Sequence, residues 1–269
     1  MGPATTVTPQ DLADALTALR DRPPLVQCLT NIVVAGWTAN VLLAVGAAPA
    51  MVDNPYEAGE FAAIAGGILV NLGAPYDDTA HAMHLAVAGA KPAGTPWVLD
   101  PVAAGALAWR THLAQQLLGE ARPAIVRGNV SEILALARGE DGRGVESVDS
   151  PEAAAQMAKD LATQRQSVIA VSGPVDHITD GERMVRLSNG HPWLAQVTGV
   201  GCALGALMAA FLAVVPDAVV AAAAATATLT VAADSAARLS RGPGSFAVAL
   251  LDELALIEPA GLAARVRMI

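Results

Sequence analysis

Six short apolar runs in this 269-residue chain close on residues that can hydrogen-bond, carry charge or orient a metal. Asn31 follows the first run, and Met51-Val52-Asp53-Asn54 ends the second. Asn71-Leu72-Gly73 ends the third and Asp100-Pro101 the fourth. Arg127-Gly128-Asn129 ends the fifth, and Ser172-Gly173 the sixth. Any one of these can be a turn residue or a helix cap. All six together predict a shared polar rim, because doubly wound sheets bind ligands beyond the C-terminal ends of their strands. Asn129-Val130-Ser131-Glu132 has two readings. It forms a plain capping box, with Glu132 reaching back one turn, or it presents a carboxylate that holds Mg²⁺ through water beside a triphosphate. Asp100 is a second carboxylate at a neighbouring strand end, suited to the same metal. Arg127 can contact phosphates bidentately.

Thr198-Gly199-Val200-Gly201-Cys202 precedes an alanine-rich helical stretch. Two glycines before a helix let backbone N–H groups approach an anion, and the helix dipole adds to that. Charge developing on a transferring phosphoryl group can be stabilised there. A helix N-terminus can also lower a thiol pKa, which gives Cys202 two readings, a partial thiolate or a small residue that fits a tight turn. The same glycines come close to a dinucleotide fingerprint. That fingerprint belongs in a first βα turn, whereas here it lies late in the chain with helix following helix. No Walker loop, G-x-S-x-G elbow or Ser/His/Asp set stands out. His81 and His84 read as surface histidines without a third ligand.

These residues need elements to position them. Thr8 caps a first helix with Pro9 at its first position. Strands are predicted at 25–29, 48–52, 67–71, 97–100, 124–127 and 167–171. Helices are predicted at 33–45, 57–65, 78–90, 109–118, 130–137 and 151–163. This alternation predicts βα units around a mainly parallel sheet buried on both faces. Turn signals within 173–192 predict an antiparallel hairpin at the sheet edge. Residues 139–147 read as a surface loop, and the rest of the chain as helix. With no repeat and no long linker, residues 1–269 are expected to form one domain.

The chain is 54% hydrophobic and only 15% charged, which suits a large core and excludes a disordered protein. A net charge of −9 without a basic cluster argues against a nucleic-acid partner. Two cysteines far apart, Cys28 and Cys202, make neither a disulfide framework nor a zinc spacing. With no signal peptide legible at the N-terminus, a cytoplasmic location is the simplest expectation. Two uncharged runs, 187–216 and 218–233, are long enough to span a membrane. Internal polar residues and the absence of flanking basic clusters favour two buried helices instead, broken at Pro216-Asp217 with Asp217 capping the second.

Taken together, the motifs resemble the hydroxyethylthiazole kinase family over roughly residues 20–255. The carriers, in order, are Cys28-Leu29-Thr30-Asn31, the stretch 40–51, Asn71-Leu72-Gly73 and Asp100-Pro101-Val102. They continue with Arg127-Gly128-Asn129-Val130-Ser131-Glu132-Ile133, Ser172-Gly173, Thr198-Gly199-Val200-Gly201-Cys202 and Gly242-Pro243-Gly244-Ser245-Phe246. The resemblance implies a ribokinase-like three-layer α/β fold and a homotrimer. It implies transfer of the ATP γ-phosphate to the alcohol of 4-methyl-5-(2-hydroxyethyl)thiazole, with Mg²⁺, in thiamine salvage. Under it, Asn31, Met51 and Gly199 face the small-molecule substrate, Arg127 and Ser172 face ATP, Asp100 and Glu132 face the metal, and Cys202 is catalytic. Two departures bear on substrate preference. Ala74 stands where the family often has threonine, and the stretch after Val102 reads Ala-Ala-Gly-Ala-Leu where the family has more glycine and a threonine. Hydroxymethylpyrimidine kinase, nicotinamide-nucleotide-hydrate dehydratase and a non-catalytic nucleotide-binding protein are the competing readings. Cys202 weighs against the other kinases of this fold, which more commonly carry aspartate there.

Overall fold

A computed structural model describes residues 6–138 and 151–269. The surface loop expected at 139–147 lies outside the described residues.

The strands are β1 Leu25–Leu29, β2 Ala48–Ala50, β3 Gly67–Asn71, β4 Trp97–Asp100, β5 Ile125–Asn129, β6 Val168–Ser172, β7 Asp176–Thr179 and β8 Met184–Leu187. They form one sheet in the order β2-β1-β3-β4-β5-β6-β7-β8. β1 to β6 are parallel, and β6-β7-β8 pair antiparallel, as the turn signals predicted. Every residue of β3 and β4 is buried, which is why these strands read as unbroken apolar runs.

Two helical layers sandwich the sheet. On one face pack α1 Pro9–Asp21, α2 Ala35–Val45, α8 Val200–Leu212, α9 Ala218–Leu239, α10 Pro243–Leu256 and α11 Pro259–Arg265. On the other pack α3 Ala58–Ala62, α4 Asp77–Ala93, α5 Ala108–Glu120, α6 Val130–Arg138 and α7 Pro151–Arg165. A short 3₁₀ helix, Pro192–Gln196, leads into α8. Thr8 and Asp11 close a capping box on α1. Asp217 caps α9 through the Val219 and Val220 amides. α9 is apolar and long enough to cross a membrane, but its side chains are buried among the other helices and the sheet edge, as in a core helix.

The predicted boundaries differ where polar contacts compete with the local pattern. α2 begins at Ala35 because the Val34 N–H donates to the Asn31 carbonyl at 3.2 Å, making a turn of residues 31–34. β2 stops at Ala50 because the Val52 carbonyl leaves the sheet to accept from Gln27 Nε2 at 3.0 Å. β5 and β6 run on to Asn129 and Ser172, carrying both residues into the rim.

Candidate active site

Across the C-terminal ends of five adjacent strands the polar side chains join hand to hand. Asn31, just beyond β1, donates from Nδ2 to Asn71 Oδ1 at 3.2 Å. Asn71, the last residue of β3, donates from Nδ2 to Asp100 Oδ2 at 2.7 Å. Arg127 of β5 reaches both Asp100 oxygens with Nη1 at 3.4 Å and donates from Nη2 to Ser172 Oγ at 3.1 Å. The parallel register makes this chain of contacts, because Asn71 lies beside Asp100 and Asn129 beside Ser172. The spacing of contacts leaves Arg127 loosely paired, and its buried Nε has no partner.

Helix α8 closes over this rim. Its N-cap Gly199 has φ +89°, a left-handed conformation open to glycine. A Cβ there would lie 2.6 Å from Val34 Cγ1. A Cβ on Gly201 would lie 3.0 Å from both terminal nitrogens of Arg127, so the absent side chain lets the helix start approach the guanidinium. One residue on, Cys202 Sγ accepts from Asn31 Nδ2 at 3.8 Å.

Burial governs the electrostatics. Asp100 is fully buried, which pushes its carboxyl up to about 6, against the pull of Arg127 and the Asn71 hydrogen bond, while Glu132 adds to the rise. Asp176 at the start of β7 is likewise raised by burial to about 6, opposed by the Gly173 N–H at 3.1 Å and by Arg127. Of the two readings of Cys202, the partial thiolate is disfavoured. Burial pushes that thiol up, and the Asp100 charge adds to the rise; hydrogen bonds from Asn71 and Asn31 and the Arg127 cation only partly offset them.

Glu132 lies beside the chain of contacts and not in it. Its Oε2 accepts from the Asn129 N–H and its Oε1 from the Ala103 N–H, both at 2.9 Å. The capping-box reading of this residue therefore holds, with Asn129 Oδ1 accepting from the Glu132 amide at 3.0 Å. Met51 follows β2 at the sheet edge, 37% exposed, with no hydrogen bond linking it to the rim. A cavity of about 460 Å³ beyond β2 is lined by Asp53, Asn54, Tyr56 and His81, among others. Another of about 500 Å³ opens between the loop after β4 and α6.

Among the described residues no three His, Cys, Asp or Glu gather as a preformed metal cage. Mg²⁺ does not ask for one, since it keeps several waters and takes one or two carboxylates plus substrate phosphates. Asp100 fits that demand through water, whereas both Glu132 oxygens already accept from backbone N–H groups. One participant, Asp176, escaped the sequence reading, and another was read only in outline. Asn71, the second link, was legible as a polar end to an apolar run. Asp176 gave no local signal, since only the β6-β7 turn carries it back to Gly173.

The geometry has solved counterparts. A hydroxyethylthiazole kinase from Pyrococcus horikoshii OT3 superposes with a TM-score of 0.88 at 36% identity, covering 96% of this chain and 98% of that one. A ribokinase-like superfamily protein from Enterococcus faecalis shares the fold with a TM-score of 0.64 at 12% identity, covering 93% and 94% of the two chains. In sequence, a hydroxyethylthiazole kinase of Clavibacter sepedonicus is 58% identical over 96% of this chain and 94% of its own length. One from Cutibacterium acnes is 54% identical over 92% and 90%. The model of the hydroxyethylthiazole kinase family matches residues 16–259. Nine-tenths of the chain, including every residue of the rim, thus falls inside one family pattern, and this chain belongs to the hydroxyethylthiazole kinase family.

Proposed function

We propose that the chain moves the γ-phosphoryl group of ATP to the hydroxyethyl oxygen of 4-methyl-5-(2-hydroxyethyl)thiazole, as one kinase domain assembled into a cytoplasmic homotrimer. The observation that carries this reading is the unbroken chain Asn31–Asn71–Asp100–Arg127–Ser172 with the α8 N-terminus against it. Phosphoryl transfer through a loose transition state depends on positioning and electrostatics more than on covalent chemistry. Arg127 and Ser172 offer donors to the nucleotide phosphates. The free N–H groups at the start of α8 face charge developing on the transferred group. Asn31, Met51 and Gly199 flank the alcohol, with Cys202 beside Asn31 near its oxygen. Mg²⁺, oriented through water by Asp100, would neutralise the phosphate oxygens. Unpaired cysteines suit the reducing compartment.

The test is ADP release by purified protein. Turnover is expected only when Mg²⁺, ATP and hydroxyethylthiazole are all present. A clear preference for hydroxymethylpyrimidine or a sugar alcohol would overturn the substrate while leaving the kinase fold intact.

A further inference from the structure

The loop after β4 holds a backbone conformation that its sequence disfavours. Ala103 has φ +64°, in the left-handed region that a Cβ penalises. Strained residues persist where the surroundings over-determine them. Here a carboxylate adds to the loop's own turn bonds, in which the Leu107 N–H donates to the Ala103 carbonyl at 3.0 Å and the Ala104 N–H to the Pro101 carbonyl at 2.9 Å. Glu132 Oε1 accepts from the Ala103 N–H, and Oε2 accepts from the Asn129 N–H. The side chain is only 8% exposed and is fixed in the first turn of α6 by the reciprocal Asn129 cap. The loop continues directly from Asp100, whose carbonyl accepts from the Val102 N–H at 2.9 Å. Its far end is tied by the Gly105 N–H to Thr111 Oγ1 at 2.7 Å. Between these ties a cavity of about 500 Å³ opens between the loop and α6, so the carboxylate is a tether across a gap.

We propose that Glu132 serves turnover as a positioning residue: its carboxylate clamps the Ala103 amide and so holds the Val102–Gly105 backbone beside Asp100, instead of ligating the metal. The proposal rests on the kinase reading for its effect on turnover, and on geometry alone for the clamp. Both partners of Glu132 are N–H donors. A glutamine has one acceptor oxygen, and its NH₂ group would face the second N–H, so Glu132→Gln breaks the clamp with almost no change in volume.

A double-mutant cycle on the full chain tests this with Glu132→Gln, Ala103→Gly and the pair together. kcat, the half-saturating Mg²⁺ concentration and the Tm without metal or nucleotide are measured. Glu132→Gln is expected to lower kcat at least about tenfold, to lower the metal-free Tm, and to leave Mg²⁺ half-saturation within about twofold. In the Ala103→Gly background the same substitution should cost under about threefold, because glycine adopts the left-handed conformation without a clamp. An equal loss in both backgrounds, or an unchanged metal-free Tm, overturns the proposal. A rise of about tenfold in Mg²⁺ half-saturation would instead assign Glu132 to the metal. If Glu132→Gln alone fails to fold, a folded double variant supports the clamp and an unfolded one overturns it. If the wild-type chain does not phosphorylate the thiazole alcohol, the kinase reading falls, while the metal-free Tm cycle still decides the clamp.

Discussion

Asp100 and Cys202 show burial outweighing the features that a sequence displays. A carboxylate facing a metal and phosphates must be ionised, yet full burial raises Asp100 to about 6 and the Arg127 cation is one of the groups restraining that rise. As pH falls through 6, Asp100 takes a proton and the site loses its charge. kcat/KM for ATP is therefore expected to fall on an acid limb near pH 6. Arg127→Met removes the pull toward the ionised form, so its limb should move to higher pH, on top of a loss in ATP affinity. A pH–rate profile of both proteins checks this, and an unmoved limb would assign the titration elsewhere. The linkage sign is the same for folding: the native state binds the extra proton between the ordinary value of 3.8 and about 6, so the Asp100 contribution to stability rises as pH falls through that window. At Cys202 the raised thiol keeps its proton at neutral pH, which argues against a standing base there. Cys202→Ala should lower kcat without abolishing it, and Cys202→Asp should stay active. Wild-type kcat should show no alkaline rise below the thiol's ordinary value of 9.0. An alanine variant matching wild type at every pH would reduce Cys202 to a small residue in a tight turn.

At the scale of elements, the start of α8 is where backbone and site meet. Gly199 and Gly201 look alike as sequence, but the structure gives them different duties. Gly199 needs its positive φ, whereas Gly201 lies within the helix and leaves room for a guanidinium. Gly201→Ala separates the two effects. Alanine favours the helix by up to about 1 kcal/mol, while its methyl would sit 3.0 Å from the Arg127 terminal nitrogens and push them off Asp100 and Ser172. The expected outcome is an unchanged or raised Tm with KM for ATP up roughly 3- to 10-fold, equivalent to about 1 kcal/mol. Thermal melting and steady-state kinetics on one preparation check it; an unaltered KM would mean that Arg127 does not serve the nucleotide. Element boundaries were legible where an apolar run ends in proline, glycine or a charge, as at Leu25–Leu29, Gly67–Asn71 and Trp97–Asp100. They were illegible at the end of β2, where the distant Gln27 holds the Val52 carbonyl, and at the start of α2, where a local turn of residues 31–34 delays the helix.

For the whole molecule, β2 is an edge strand among the described residues, and an open edge with exposed apolar side chains in the segments after β1 and β2 invites a protein partner. Ile32 and Val33 follow β1 and Met51 and Tyr56 follow β2, with Ile32 77% and Tyr56 96% exposed. A homotrimer covering this edge would use two different patches per subunit, as cyclic symmetry requires. Light scattering should return three times the 27.2 kDa chain mass, and Tyr56→Asp should shift it toward monomer with KM for the thiazole raised. A wild-type monomer with full activity would refute both the assembly and the placing of the substrate near a subunit boundary.

The sequence by itself determined the layered α/β architecture, the hairpin edge, the buried fate of the apolar helices and the family. These follow from local patterning: continuous apolar runs bury on both sides, glycine and proline stop them, and a motif order such as Arg127 to Ile133 followed by Thr198 to Cys202 is a property of the chain alone. Tertiary structure alone decided which polar ends touch. Asn31, Asn71, Asp100, Arg127 and Ser172 are separated by 40, 29, 27 and 45 residues along that path of contacts, and only strand order and register bring them together. It also decided the proton on Cys202 and the clamp on Ala103. Desolvation and backbone strain depend on what surrounds a group, and no local pattern of residues carries that information.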